Sequence, residues 1–511
     1  MNNNYATVEG TTRYSQRHPS LTYRPLGRTA LLVSEVGFGG YRIDTAVPSH
    51  REALTLALQS GINLIDTSSN YSDGSSEQLV GEVLAQLMAE GTLSRDEIVI
   101  VSKAGYIQGQ NYEMAQARKE AGSPFPNVVK YAEGLDHCIH PDFLADQLTR
   151  SLARLNLDCI DVYLLHNPEY YLSWARKAKL EMAYARNVYY QRLALAFDHL
   201  EQEVANGRIG SYGISSNTFP QGADRYTTTN LHRAWHTAVG VTPNPHFTTI
   251  QFPMNLLETG GATEANQPDG QTVLQLAQEL NLGVLINRPL NAIQQQPGGP
   301  ETMRRLSSVA PPTYPTSMEE VSTAVDTLLK MEEAFQQIHL PQLVKPLNLS
   351  AETEAALTQM VAIGQMLQGQ WPGFGSYQNW NDLRGRYLIP RAQWALQFLA
   401  EQPNLPAEAA AWLDRYVDEV NLTLTTVTAF YQQMGATLSE HLQQTAVAAA
   451  ADWQTDRLSQ TAVRALRATG GITTVLVGMR HPHYVQDILA DLHNPVEQQP
   501  HTAAWNTMRS A

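Results

Sequence analysis

Eight short stretches rich in Val, Ile and Leu recur along the chain with amphipathic helical stretches between them. That alternation restricts the fold more than any other feature. The predicted strands are Ser34–Phe38, Asn63–Ile65, Glu97–Ser102, Cys159–Leu165, Ile209–Ile214, Thr248–Phe252, Gly283–Asn287 and Thr474–Gly478. Helical spacing marks His50–Ser60, closed by Gly61, then Gln78–Glu90. It returns after Pro141-Asp142, before Gly207, over Leu458–Ala468 and over Tyr484–Leu492. Short, continuously apolar strands interleaved with helices predict parallel βαβ units covered on both faces. Eight such units close into a (β/α)8 TIM barrel. The competing architecture is an open doubly wound sheet. No G-x-G-x-x-G follows a strand, and GFGG at Gly37 to Gly40 is too short to serve as one.

Three connections exceed what a minimal barrel needs: Gly105 to His140, Asn167 to Gln191 and Gln294 to Asp456. All follow strands, so they are expected on the catalytic face. The third is domain-sized and reads as almost wholly helical. The expected organisation is a loose tail over 1–20, a barrel over 21–296 and 457–494, a helical insertion over 297–456, and a C-terminal tail over 495–511. The insertion is expected to act as a lid over the barrel mouth or as an interface. It is the candidate surface for a second copy of the chain or a protein partner. Net charge is 35 − 49 = −14, which argues against nucleic acid and anionic membrane as partners. No apolar run approaches the ~20 residues of a membrane-spanning helix. Two cysteines, Cys138 and Cys159, make no disulfide framework, and a cytoplasmic setting is the expectation.

Chemistry gathers where predicted strands end. The second strand runs into Asp66 and, four polar residues on, Tyr71; the third ends at Lys103 and the fourth at His166. Ser75 and Gln78 have the Ser-x-x-Gln spacing of a capping box, which predicts a helix start just after Tyr71. Neighbouring strand ends in a barrel are close in space, so these four groups are expected in one pocket. A free tyrosine has a pKa of ~10 and is a poor acid at neutral pH. An adjacent Lys103, held by Asp66, is expected to lower it and make Tyr71 a proton donor to a developing alkoxide. His166 would orient the carbonyl. No side chain supplies a hydride, so a nicotinamide cofactor is implied.

These segments resemble the aldo-keto reductase superfamily. DTSSNYSDGSSEQLVG is similar to its Asp-x4-Tyr signature, SKAG to its lysine strand and DVYLLHNP to its histidine strand. GRIGSYGISSN, TIQFPMN, NRPLN and VLVGMR are similar to its later cofactor-binding segments, in the same order. The resemblance covers Leu21 to Gln296 and Arg457 to Asn494. It implies a (β/α)8 barrel, NADP(H) and interconversion of a carbonyl (aldehyde, ketone or sugar lactol) with an alcohol. Residue by residue, it implies Tyr71 as general acid/base, Lys103 and Asp66 tuning it, and His166 orienting substrate. Ser215, Asn217 and Gln251 would meet the nicotinamide carboxamide, with Ser216 an alternative in the doubled serine. Arg288 and Leu290 fall in the segment near the pyrophosphate, Gly478 and Arg480 in that near the adenosine phosphate. Arg480 suits the 2′-phosphate of NADP because a guanidinium forks onto phosphate. Two positions depart from the pattern: Asn287 stands where many members carry an aromatic, and Ile488 where an Asn is frequent.

The rival reading is a nicotinamide-binding regulatory or scaffold subunit that docks partners through its helical insertion. HCIH at His137 to His140 and HPH at His481 to His483 lack metal-site spacing and read as surface histidines. Trp371, Phe374, Tyr377 and Trp380 read as core packing of the insertion.

Overall fold

The computed structural model describes residues 4–295 and 301–510. Eight parallel strands close into a barrel: β1 (Val36–Gly39), β2 (Leu64–Asp66), β3 (Val99–Ala104), β4 (Ile160–His166), β5 (Ile209–Ser215), β6 (Phe247–Pro253), β7 (Gly283–Asn287) and β8 (Thr474–Val477). Each pairs with its neighbours in sequence, and β8 pairs with β1 to shut the seam. The strands are buried on both faces, which accounts for their unbroken apolar runs. The outer layer includes α2 (Pro48–Gln59), α3 (Ser75–Ala89), α4 (Pro141–Leu155), α5 (Met182–Ala205), α6 (Leu231–Val241), α7 (Val273–Glu279), α8 (Leu458–Arg467) and α9 (Pro482–Leu492). Helix α3 packs backbone to backbone on α4: a Cβ at Gly81 would lie 2.5 Å from the Leu155 carbonyl oxygen.

Neither terminus is the loose tail expected. Val8–Arg17 forms a helix capped by Thr7, whose hydroxyl accepts the Gly10 N–H. Its Tyr14 is fully buried. Arg13 pairs with Asp96 and Glu97, and Arg17 with Glu97. Polar residues that read as solvated from sequence are spent on this docking. Ala6, Leu26, Leu31 and Val33 join Leu64, Val99, Val162, Leu285 and Leu476 in one cluster, so the leading segment plugs the floor of the barrel. At the other terminus Thr502–Arg509 is helical, with Trp505 buried against Trp453 and its indole N–H donated to Thr469.

The last βα unit is bound to the first through buried charge. Arg467 at the end of α8 pairs with Glu35, just before β1, and with Asp491 on α9. Arg24 also pairs with Glu35, and Arg464 with Asp491. Burial, against the pull of Glu35, lowers the Arg24 pKa to about 10.

The chain divides into two compact units, Met1–Ala292 with Gln444–Ala511, and Ile293–Gln443. The expected barrel–insertion boundary, Gln296/Pro297, lies outside the described residues, and the second unit ends earlier than the expected 456. That unit is helical around its own core of Val321, Leu328, Phe335, Trp371, Trp380 and Tyr416. Trp371 and Trp380 are packing residues, as expected. Within it the buried Glu332 accepts the N–H groups of Gly364 and Gln365 and the hydroxyl of Tyr416.

Candidate active site

Tyr71 is placed by an uncommon turn. Ser72 and Asp73 have φ of 46° and 54° and Gly74 has φ of 93°. Left-handed backbone at non-glycine residues costs about 1–2 kcal/mol each. Three such residues in succession fold the chain back sharply into α3. Asp73 secures the turn by accepting the Gln110 N–H. Helix α3 begins at Ser75, close to the expected start, but the expected capping box is not made. Gly74 occupies the N-cap, and the Ser75 hydroxyl binds Thr45 instead.

The four strand-end groups converge. Lys103, fully buried, donates from Nζ to Asp66 Oδ1 at 2.6 Å and to the Thr67 carbonyl at 2.8 Å. Its ammonium lies 4.8 Å from the centroid of the Tyr71 ring, and the His166 ring stands edge-on to Tyr71 at 5.8 Å. Burial pushes the Lys103 pKa down while Asp66 pulls it back up.

The electrostatics of Tyr71 run opposite to the sequence expectation. Burial, then the Asp66 charge and Tyr41, hold its pKa well above 10. Lys103 does not lower it, because that ammonium is committed to Asp66 and Thr67 and its charge is largely matched by the carboxylate. Tyr71 is thus a phenol that keeps its proton until a strong base develops beside it.

His166 is a neutral imidazole: burial, then Lys103 and His137, hold its pKa well below 6.5. Its Nδ1 is 3.1 Å from the Ser68 hydroxyl. Ser68 has a single hydroxyl proton, for which Asn70 Oδ1 at 2.7 Å and the Lys103 carbonyl at 3.1 Å compete with Nδ1; the Nε2–H tautomer is the one in which Nδ1 accepts it. The backbone carbonyl of His166 is 2.7 Å from His137 Nε2. His137 is therefore buried and structural, not one of a surface pair. No cluster of potential metal ligands occurs among the described residues.

Gly105 makes this arrangement possible. A Cβ there would stand 2.3 Å from the His166 carbonyl oxygen and 2.6 Å from His137 Nε2. Gly105→Ala is expected to displace both histidines, lowering kcat at least tenfold and stability by about 1–3 kcal/mol. Steady-state kinetics alongside a urea titration check both.

Of the expected cofactor residues, Gln251 joins the tetrad directly and Ser215 joins it through Gln251. Gln251 donates to Asp66 Oδ1 at 2.7 Å and accepts the Ser215 hydroxyl at 2.8 Å. The Asn217 N–H is donated to Glu169 Oε1 at 2.8 Å. The Ser216 hydroxyl is within 3.1 Å of those of Thr218 and Thr229, in a buried cluster that Tyr189 completes, and it also faces Glu169. That hydroxyl is thus engaged within the wall, as that of Ser215 is with Gln251. Arg288, at φ 53°, follows β7 and pairs with Glu258, and Leu290 is half-buried. Gly478 and Arg480 follow β8. These residues lie at or just beyond the C-terminal ends of β5 to β8, on the rim that carries the tetrad.

That rim fits a dinucleotide. Asn287 Oδ1 is buried without a partner, an acceptor awaiting a donor. A Cβ at Gly478 would meet nothing within 4 Å, leaving room beside the backbone. Helix α9 starts at Pro482 without a side-chain cap, which leaves its positive end, including the His483 N–H, suited to an anion next to Arg480.

Sequence reasoning passed over several residues here. Tyr106 stands edge-on to His166 at 4.7 Å, accepts from Asn167 at 2.6 Å and donates to the Tyr170 hydroxyl at 3.2 Å. Tyr41 flanks Tyr71 at 5.1 Å and Tyr131 packs on Tyr170 at 4.2 Å. Together they form a tyrosine wall beside the tetrad, partly supplied by the small sheet Tyr106–Ile107, Leu135–His137 and Val129–Ala132 that fills the first long connection.

A closed parallel barrel with its polar constellation at the C-terminal rim defines the class: a (β/α)8 protein built in the manner of barrel enzymes. Residues 35–297 match the model of the aldo/keto reductase family, and the chain belongs to that family. It is 29% identical over 158 residues to the NADH-specific methylglyoxal reductase of Escherichia coli, spanning 28% of this chain and 40% of that protein. It is 32% identical over 167 residues to D-threo-aldose 1-dehydrogenase of a Pseudomonas species, spanning 32% of this chain and 42% of that one. The chain thus spans less than half the length of these two relatives. Among solved structures, an aldo/keto reductase from Klebsiella pneumoniae in complex with NADP and acetate aligns at 22% identity and a TM-score of 0.33, over 52% of this chain and 68% of that one.

Proposed function

We propose that this protein is an NADP(H)-dependent oxidoreductase that interconverts a carbonyl and an alcohol, with an aldose or its lactol as the preferred substrate class. The observation that carries the reading is the convergence of Tyr71, Lys103, Asp66 and His166 at neighbouring strand ends. In this reading the nicotinamide lies against Ser215, Asn217 and Gln251, with Asn287 replacing the usual aromatic by a hydrogen bond. The pyrophosphate runs by Arg288 and Leu290, and the adenosine phosphate by Gly478 and Arg480. When bound, the cofactor supplies or accepts the hydride.

The chain's own residues do the rest. His166 Nε2–H donates to the substrate oxygen and fixes its direction. As charge builds on that oxygen, the Tyr71 O–H bond breaks and a new O–H bond forms on the substrate. Lys103 meets the resulting phenolate, and Asp66 keeps the pair near neutral overall. In the alcohol-to-carbonyl direction the phenolate takes the proton back. The tyrosine wall suits a polyhydroxylated substrate, offering ring faces to C–H groups and phenolic hydroxyls to its oxygens. The aldose dehydrogenase among the relatives supports the same class.

The test is to incubate the full chain with NADPH or NADH and a panel of aldoses, simple aldehydes and ketones, following dinucleotide consumption. Turnover with NADPH and an aldose is expected. Arg480→Leu should raise the KM for NADPH at least tenfold and leave that for NADH nearly unchanged. Tight dinucleotide binding without turnover across the panel would instead support a regulatory subunit.

A further inference from the structure

Glu169 belongs to none of the roles above, yet its burial and bonding single it out. It follows the active-site histidine by three positions and is 3% exposed. Its Oε1 accepts the backbone N–H of Asn217, and its Oε2 is buried without a hydrogen-bond partner. Among the described residues no cation pairs with it. The groups that face it are the hydroxyl of Ser216 and the N–H of Asn217 from the end of β5, Tyr189 on α5, Tyr106 on the small sheet and its neighbour Tyr170. A buried carboxyl with no countercharge is costly to keep unless a positive partner arrives.

We propose that Glu169 is a positioning and charge-setting residue for the dinucleotide, giving the site its preference between the oxidised and reduced forms. The inference rests on the reading that Asn217 holds the nicotinamide carboxamide. The Asn217 N–H ties Glu169 to the segment that would grip the ring, so its charge lies next to the cofactor. The nicotinamide ring is cationic when oxidised and neutral when reduced. An ionised Glu169 attracts the first and has no charge–charge interaction with the second, while a protonated Glu169 treats both alike. One uncompensated carboxylate near a buried ring charge shifts the ratio of affinities by about tenfold.

The direction with pH follows. Burial pushes the Glu169 pKa up to about 7. Below that pH the acid is neutral; above it the carboxylate is present. Affinity for NADP+ relative to NADPH therefore rises as pH passes from about 6 to 8. Binding of NADP+ in the middle of that range expels a proton. His50, His481 and His483 lie near the adenosine-phosphate end, and burial holds the pKa values of His50 and His481 below their ordinary 6.5. They act on both forms of the cofactor equally, so the ratio isolates Glu169.

The experiment measures dissociation constants of NADP+ and NADPH for the full chain between pH 6 and 8, by tryptophan-fluorescence quenching and by calorimetry in two buffers of different ionisation enthalpy. The wild type should show a roughly tenfold rise in the ratio and more buffer-dependent proton release with NADP+ than with NADPH, the 2′-phosphate contributing equally to both. Glu169→Gln should flatten the ratio at its low-pH value and abolish the difference in release. Should that variant fail to fold, the wild-type ratio and proton count decide the matter alone. A pH-independent ratio with both forms bound overturns the role of Glu169 and leaves the oxidoreductase reading standing. Binding of neither dinucleotide removes both.

Discussion

Tyr71→Phe is expected to lower kcat for carbonyl reduction by roughly 10²–10⁴-fold, the usual contribution of a positioned proton donor, while the dinucleotide still binds. The ring is retained, so the edge-on contacts with Tyr41 and His166 and the approach of Lys103 to its face persist. Only the phenolic hydroxyl is lost, and with it the transferable proton. Because burial and Asp66 hold the phenol well above its ordinary pKa, the protonated form is present throughout the neutral and mildly alkaline range. Reductive turnover at saturating cofactor should therefore show no loss from Tyr71 as pH rises toward 9. The reverse reaction, which needs the phenolate, should climb with pH over the same interval. Stopped-flow single turnovers in both directions separate this from changes in product release. Unreduced single-turnover rates in the variant would remove Tyr71 from the chemistry.

The largest effect on stability is expected from Arg467→Met. Its guanidinium is fully buried, and removal leaves Glu35 and Asp491 facing each other without their shared cation. Breaking a buried ionic network in this way costs about 3–5 kcal/mol, which lowers Tm by roughly 4–7 °C for a unit of this size. The carbonyls of Asp491 and Asn494 lose donors as well. Arg24 and Arg464 still touch the two carboxylates and keep the loss from being larger. Adding Glu35→Gln and Asp491→Asn to the same chain should recover part of the stability, since the penalty comes from uncompensated charge. Differential scanning calorimetry of the single and triple variants checks both statements. No recovery would mean that lost packing of the arginine stem dominates.

The barrel was legible because strands buried on both faces must be apolar throughout. The prediction for Gly283–Asn287 coincides with β7, and the other strands differ by at most two residues at either end. The tetrad was legible because each member follows an apolar run, which a barrel converts into proximity. What sequence could not carry was anything decided by a distant partner. Thr7 to Arg17 has no strong apolar stripe, and its helix is held through Asp96 and Glu97, some eighty residues away. Ser75 has the right spacing for a cap, but Thr45 claims its hydroxyl. The sign of the Tyr71 shift depended first on burial of the phenol and then on the nearby Asp66 charge, both matters of tertiary distances. Ser68, Tyr106 and Glu169 act through neighbours, and their only mark in the sequence is that they lie within or beside the motifs DTSSNY, SKAG and HNPE.

The return of β8 after the helical insertion has a consequence for biogenesis. Until the ribosome has released Thr474–Val477, seven strands stand as a curved sheet whose two borders, β1 and β7, present unpaired backbone. Open borders of that kind invite pairing with other nascent chains. Arg467, just ahead of β8, then acts as a latch that fastens the late-arriving strand to residues made more than four hundred positions earlier. Chaperone dependence during synthesis should accordingly exceed that of a barrel whose strands emerge without interruption.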